Sequence, residues 1–330
     1  MTSTNPVIAA APAPRFLQQH HDDAPALRAE LHAGLVAPAA RIAPKHFYDL
    51  LGSRLFEAIT ALPEYYPTRT EAAIFAAHAE AMATHAATRG RPLVDLGAGN
   101  GEKAASLFAA FRPSAYVAVD ISVEFLRGTL ARLGREHPAL PMLGVGIDFA
   151  SRLELPAEAG AAAEGPRTLF YPGSSIGNFE PEAALGFLRQ ARAAAQGGAL
   201  VIGVDLVKEH AVLEPAYDDA LGVTAAFNRN VLRNVNARLG SDFEPGAWRH
   251  VAFYDEVHGR IEMHLEAVSA QPVRWPGGER RFAAAERIQT EYSYKHRPEA
   301  FQALLELAGF RGVRAWFDPR RWFGVFVAQG

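Results

Sequence analysis

Apolar residues along this chain come in two rhythms, and the change from one to the other marks out its elements. Between residues 92 and 205, five short and nearly continuous apolar runs occur: PLVDL at 92–96, AYVAVD at 115–120, PMLGVGI at 141–147, RTLFYP at 167–172 and ALVIGVD at 199–205. Runs that are apolar on both faces predict strands buried between two layers. The Ala- and Leu-rich stretches between them predict helices near 102–110, 122–135 and 181–195. Such an alternation specifies a parallel sheet covered on both sides. Ahead of it, DDAPALRAELHAGLV at 22–36 has helical spacing, with Pro25 and two acids as a start signal, and another helix is expected over 71–88. The aromatic-rich segment between them ends in Pro-Glu-Tyr-Tyr-Pro, a turn that cannot be helical throughout.

After Asp205 the rhythm breaks. Residues 207–240 read as helical and polar-aromatic, and 250–274 as antiparallel strands around a turn at His258-Gly259. A helix at 298–309 and strands at 312–317 and 323–328 return to the sheet. The pattern therefore predicts an α/β, Rossmann-like doubly wound core over 15–206 and 295–330. A smaller α+β piece is inserted over 207–294, and a flexible Ala/Pro arm, 1–14, offers nothing large to bury. No internal repeat is visible.

Composition narrows the function more than the fold. With 330 residues, 49% of them apolar, the chain can bury a large core. A net charge of −3 with scattered Lys and Arg argues against nucleic acid as a partner. The absence of cysteine removes disulfides, thiolate nucleophiles and Cys-ligated zinc. The first sixteen residues lack a positive start and a sustained apolar run, so they do not read as a signal peptide, and no run is long enough to span a bilayer. A cytoplasmic protein with no membrane partner is the expectation.

The segment Val94-Asp95-Leu96-Gly97-Ala98-Gly99-Asn100-Gly101 follows a predicted strand and precedes a helix, the setting in which a glycine-rich turn lets a nucleotide approach the backbone. Asp120, ending the next strand, can accept both hydroxyls of a ribose. Dinucleotides and S-adenosylmethionine (SAM) both fit that much. Three features favour the methyl donor. The pattern is Gly-x-Gly-x-Gly, without the third-glycine spacing of a dinucleotide turn, and Glu102 stands where a pyrophosphate would want a free helix N-terminus. Asp148-Phe149, after the third strand, can hold an adenine by a hydrogen bond and an apolar contact.

Two other motifs compete. Gly173-Ser174-Ser175-Ile176-Gly177 matches the serine-hydrolase elbow, but Gly177, Asn178 and Pro181 delay the helix that an elbow requires at once. His258, Glu262 and His264 share a strand parity that suggests two histidines and a carboxylate around a metal. His258 falls in the predicted turn, however, so solvated or packed histidines are expected and no metal is assigned.

The blocks LPEYYPTRTE (62–71), GSSIGN (173–178), DLVK (205–208), AYDDALGVTAAFNRN (216–230), RIEM (260–263) and EYSYKHRP (291–298) closely resemble the histidine-specific Nα-methyltransferases of ergothioneine biosynthesis. The resemblance runs from about residue 25 to the C-terminus and includes blocks outside a generic methyltransferase core. It implies a SAM-dependent methyltransferase core with an inserted substrate domain. Tyr48, Gly97, Lys103, Asp120, Asp148 and Phe149 would line the SAM site. Asn178 and Tyr217 would hold the substrate carboxylate. Gly173 and Ser175 would lie near the amine, with Phe56 beside them. Tyr65, Glu291 and Ser293 would read the imidazole of free histidine, and Met263 would pack on the ring. Three successive transfers to the amine would give trimethylhistidine (hercynine), by positioning alone and with no covalent nucleophile. A monomer is expected. The chain departs from the family in Asn100-Gly101, where Thr-Ser is more common, and in Ser175, where Thr is common. The Ala-, Glu- and Gly-rich stretch 156–166 reads as surface variation. The alternatives are another aromatic amino acid or a thiohistidine as substrate and, from other classes, a non-catalytic SAM-binding protein or an NAD-dependent oxidoreductase.

Overall fold

The computed structural model describes residues 13–18, 24–150, 152–156, 159 and 164–330. Most of the Ala/Pro arm and most of the 156–166 stretch lie outside these residues.

In chain order the elements are β1 (Arg15–Gln18), α1 (Ala24–Val36), α2 (Leu50–Thr60) and α3 (Tyr66–Ala86), then β2 (Leu93–Leu96), α4 (Glu102–Phe111), β3 (Tyr116–Asp120), α5 (Val123–Glu136) and β4 (Met142–Gly146). β5 (Thr168–Tyr171), α6 (Pro181–Ala195) and β6 (Ala199–Asp205) complete the alternating part. The next stretch comprises α7 (His210–Leu213), α8 (Val223–Leu239) and five strands: β7 (Trp248–Asp255), β8 (Arg260–Ala267), β9 (Gln271–Trp275), β10 (Gly278–Phe282) and β11 (Arg287–Tyr294). α9 (Pro298–Leu307), β12 (Arg311–Phe317) and β13 (Phe323–Gln329) end the chain.

Eight strands form one sheet in the order β1-β4-β3-β2-β5-β6-β13-β12. Strands β1 to β6 run parallel, and β13 enters antiparallel to β6. The five strands read from the sequence are all present, and every residue of β2, β4, β5 and β6 is buried, as expected of strands covered on both faces. β2 has β3 on one side and β5 on the other, so the chain reverses its direction of travel across the sheet there. The loops after β2 and β5 thus open a crevice at the carboxyl ends of the strands, the usual ligand position in such sheets. β1 was not foreseen from the sequence. Its four residues, RFLQ, pair in parallel with Leu143 to Gly146 at the sheet edge.

A second core lies outside the sheet. β11, β8 and β7 make an antiparallel three-stranded sheet, and β9 and β10 form a hairpin. Trp248, Ile261, Leu265 and Ile288 from the strands pack with Phe227, Val231 and Val235 of α8. Leu31, Leu35, Phe47 and Ile59 join the same cluster, so the N-terminal helices share a core with the 207–294 stretch. Asp49 fastens the join: its carboxylate accepts the Gly52 N–H at 2.6 Å, capping α2, and the Asn230 amide of α8 at 2.8 Å. Asp219 caps α8 through the N–H groups of Val223 and Thr224 at 3.0 and 2.7 Å.

Candidate active site

The loop after β2 turns through positive φ at Gly97, Gly99 and Gly101. At Gly101 a side chain is excluded by contact as well as by φ, because a Cβ would lie 2.7 Å from Leu133 and 3.3 Å from the Tyr116 hydroxyl. The asparagine-glycine pair is therefore matched to what packs beneath it. Asp120 ties this loop to the end of β3, accepting the Gly99 N–H at 3.0 Å and the Ser122 N–H at 2.9 Å. Burial raises the Asp120 carboxyl above its ordinary range, against the pull of those backbone donors. Below it, Asp95 accepts the Tyr116 hydroxyl at 2.7 Å, and burial pushes Asp95 up to about 7. Phe149 stands 3.7 Å from where a Cβ on Gly97 would project and packs edge-on to Tyr171. Asp148 accepts Lys45 Nζ at 3.3 Å. Lys103 donates to Glu71 at 2.6 Å, and the other Glu71 oxygen accepts the Gly173 N–H at 2.8 Å. Glu71 thereby joins the two loops of the crevice. A half-buried carboxylate for a ribose, an aromatic face and a glycine turn with no side chains in the way form a donor and acceptor set that fits an adenosyl group.

Beside the crevice is a cavity. Gly173, Ser175 and Asn178 from the loop after β5 line it together with Tyr217, and Met263, Glu291 and Ser293 come from the three-stranded sheet. Phe56 of α2, with Tyr48 and Tyr65 from the turns flanking that helix, forms an aromatic wall. Phe56 lies edge-on to Tyr48 and Tyr65 with ring centroids 5.9 and 6.1 Å apart, and Tyr65 faces Tyr217 at 6.4 Å. All nine residues that the resemblance gives to substrate, and Tyr48 from the donor set, surround this one space.

Glu291 is the least settled group there. It is 8% exposed and has no hydrogen-bond partner among the described residues, and burial raises its carboxyl to about 7 although Lys295 pulls the other way. Its orientation has a local cause. The register between β11 and β8 shifts between Gln289 and Glu291, and Thr290 turns its hydroxyl to the Met263 carbonyl at 3.0 Å. An irregularity of this kind re-aims the next side chain.

Behind the cavity is a network whose roles the sequence did not disclose. Lys295 Nζ donates to Tyr217 Oη at 2.8 Å and to Ser293 Oγ at 2.8 Å, and meets Asp205 at 2.9 Å. Asp205 also pairs with Lys208 at 2.6 Å and accepts the Tyr66 hydroxyl. The two lysines hold the Asp205 carboxyl below its usual range in spite of burial. An aspartate ending an otherwise apolar strand, and a lysine directly after β11, were the available signals.

The competing motifs resolve differently. Residues 175–178 form a short 3-10 turn and α6 starts only at Pro181, so the helix does not follow the serine. Ser175 Oγ is directed to the Pro172 carbonyl at 3.4 Å, and Ser174 Oγ accepts the Asp205 N–H at 2.8 Å. His264 and Arg260 both pair with Glu262, while His258 pairs with Asp255 in the turn.

A family model for histidine-specific, SAM-dependent methyltransferases matches residues 27–330. The chain belongs to this family. The methyltransferase is 42% identical over 312 residues to the histidine N-alpha-methyltransferase of Mycolicibacterium smegmatis, covering 92% of this chain and 95% of that one. It is 40% identical to the protein of the same description from Mycobacterium tuberculosis, covering 92% and 94%. Ergothioneine biosynthesis protein 1 of Neurospora crassa is 33% identical over 279 residues, which are 82% of this chain and 31% of that longer one. The SAM-dependent methyltransferase thus acts on nitrogen in a small substrate, on a Rossmann-like core. Among the described residues no helix is long and apolar enough to cross a membrane.

Proposed function

We propose that this methyltransferase moves methyl groups from SAM to the α-amine of free histidine, three times over, to give hercynine for ergothioneine biosynthesis. One observation carries the choice of substrate: Glu291, a buried acceptor without a partner among the described residues, faces the cavity beside Ser293 and Met263. A side chain with a ring N–H satisfies that carboxylate, whereas a phenyl or aliphatic side chain leaves it buried and unpaired.

Bound SAM supplies an electrophilic methyl group, and the protein's task is placement. Gly97, Asp120, Asp148 and Phe149 would hold the adenosyl part, and Lys103 and Tyr48 its remaining portion. Asn178 and Tyr217 would anchor the carboxylate of the amino acid, leaving the amine beside Gly173 and Ser175. Fixing carboxylate and ring at opposite ends converts an encounter in solution into a unimolecular event, a gain of several kcal/mol by order of magnitude. The amine must shed its proton to become nucleophilic. Because it is held only through its neighbours it can rotate and accept further methyls until its lone pair is gone.

The test is to incubate the protein with SAM and each of the twenty amino acids and to follow mass gains of one to three methyls. Histidine alone should reach three. Modification of several amino acids to similar extents, or of none, refutes the proposal. In parallel, Glu291→Ala should abolish measurable histidine binding by calorimetry and leave SAM binding unchanged.

A further inference from the structure

Hydrogens in the wall behind the cavity can be counted. The Lys295 ammonium has three to give, and three acceptors surround it: Tyr217 Oη, Ser293 Oγ and Asp205. Its side chain is wholly buried, so no water competes for them. Tyr217 and Ser293 also bond to each other, at 2.8 Å. Each hydroxyl owns one hydrogen, and one of the two is consumed in that mutual bond. The pair therefore has one hydrogen left for anything in the cavity.

A substrate carboxylate can only accept. If Tyr217 holds it, as proposed above, Tyr217 spends the remaining hydrogen there, and Ser293 must donate to Tyr217. Ser293 then turns a lone pair, not a hydrogen, towards the ring. Glu291, on the same strand two residues away, has no hydrogen-bond partner among the described residues and presents a second acceptor. A neutral imidazole has one N–H and one bare nitrogen, so it would set a lone pair against a lone pair at one of these two contacts.

We infer that Lys295, by donating to both oxygens, holds Ser293 against Tyr217 so that Ser293 and Glu291 both accept, and that the pocket takes the histidine ring with hydrogen on both nitrogens, as an imidazolium. The ring then brings the positive charge that the buried Glu291 lacks. The groups facing Glu291 are consistent with this: Lys295, just past the end of its strand, is committed to Asp205 and the two hydroxyls, and Tyr48, Tyr65 and Tyr217, the phenols around it, are all driven by burial away from ionising. Glu291 itself, raised to about 7, holds a proton readily, and a protonated carboxyl meeting a neutral ring carries the same total of hydrogens as a carboxylate meeting an imidazolium. Lys295 is a positioning residue in this scheme, acting through Ser293 and Tyr217. The inference rests on the proposed substrate and its orientation.

The experiment compares L-histidine with 2-fluoro-L-histidine, an analogue of nearly the same shape whose ring stays neutral at pH 7.5, by calorimetry in the presence of S-adenosylhomocysteine. The analogue should bind about a hundredfold more weakly, because fluorine leaves its bare nitrogen too weakly basic either to take up a proton or to accept one well from a protonated Glu291. In Lys295→Met, Asp205 keeps Lys208, and Ser293 loses the ammonium that holds it against Tyr217 and can turn to donate to a bare ring nitrogen, so the ratio between the ligands should collapse to within about threefold. Lys295→Gln, which retains a donor, should keep part of the ratio and serves if the Met variant fails to bind S-adenosylhomocysteine. Equal binding of both ligands to the wild type overturns the inference and leaves histidine as substrate intact. A ratio unchanged in the folded variants overturns the role of Lys295. If histidine itself fails to bind, the proposed function falls, and the inference with it.

Discussion

Gly203→Ala is a one-carbon change in the middle of β6 that should act on the crevice through Glu71. A Cβ at 203 would lie 1.9 Å from Glu71 Oε1 and 3.1 Å from the Gly173 nitrogen, whereas ordinary contacts begin near 3.4 Å. The carboxylate must therefore retreat by about 1.5 Å, the difference between those separations, which a close-packed interior cannot absorb elsewhere. Glu71 is fully buried and bonded at both oxygens, to Lys103 at 2.6 Å and to the Gly173 N–H at 2.8 Å. Losing these leaves a buried charge uncompensated, at a cost of about 3 kcal/mol or more. For a chain of this length, unfolding entropy near 0.7 kcal/mol per kelvin makes that a fall in Tm of about 4–5 °C. Both the denaturation midpoint and SAM affinity should fall, since Lys103 and Gly173 border the crevice. The decisive measurement is a double-mutant cycle with Glu71→Ala. Removing the carboxylate removes the obstruction, so Gly203→Ala should cost little in that background, with a coupling of about 2 kcal/mol or more. Additive effects, or a Gly203→Ala protein within about 0.5 kcal/mol of wild type, refute the reasoning.

Three further outcomes are expected. Glu291 titrates near 4.5 in the unfolded chain and at about 7 in the fold, so its burial costs nothing below the first value, destabilises progressively between the two, and costs a constant amount above the second. Glu291→Gln should consequently stabilise the ligand-free protein by about 1–3 kcal/mol at pH 8 and by almost nothing at pH 4.5, as read from urea midpoints at the two values; an equal effect at both would contradict the assigned burial. Asp120→Ala removes the acceptor of the Gly99 and Ser122 amides as well as the proposed ribose contact, so SAM affinity should drop by at least about tenfold; calorimetry showing unchanged affinity would displace Asp120 from the donor site. Tyr217→Phe should raise the histidine KM by about tenfold or more while barely altering SAM binding, and a change confined to kcat would remove the tyrosine from carboxylate anchoring.

The parallel sheet could be read from the sequence because its strands are buried on both faces, which leaves apolar runs too continuous to mistake. β1 could not, since RFLQ is four residues long and gains its place only by pairing with β4. Nor does helical spacing say what a helix covers: α1 and α2 precede the alternating strands β2 to β6 in sequence but pack with α8 and the antiparallel strands. At the candidate site, the glycine turn and the strand-end acids could be singled out because each carries a local signature, whereas the residues lining the cavity were named through the family resemblance. Glu71, Asp205 and Lys295 were not assigned roles, because nothing near them in sequence indicates that each is buried against a partner more than thirty positions away.

The short strand at the start of the described chain has a consequence for handling the protein. Phe16 lies across Gly144, filling the space that a side chain there would need. Through the pairing of Arg15 to Gln18 it also occupies the outer row of amides and carbonyls on β4. A shortened protein that begins after Gln18 would offer that row, flanked by Leu143 and Val145, to a neighbour of its own kind. Such a protein should retain its chemistry when dilute yet clump on concentration, a difference that light scattering across a dilution series would read.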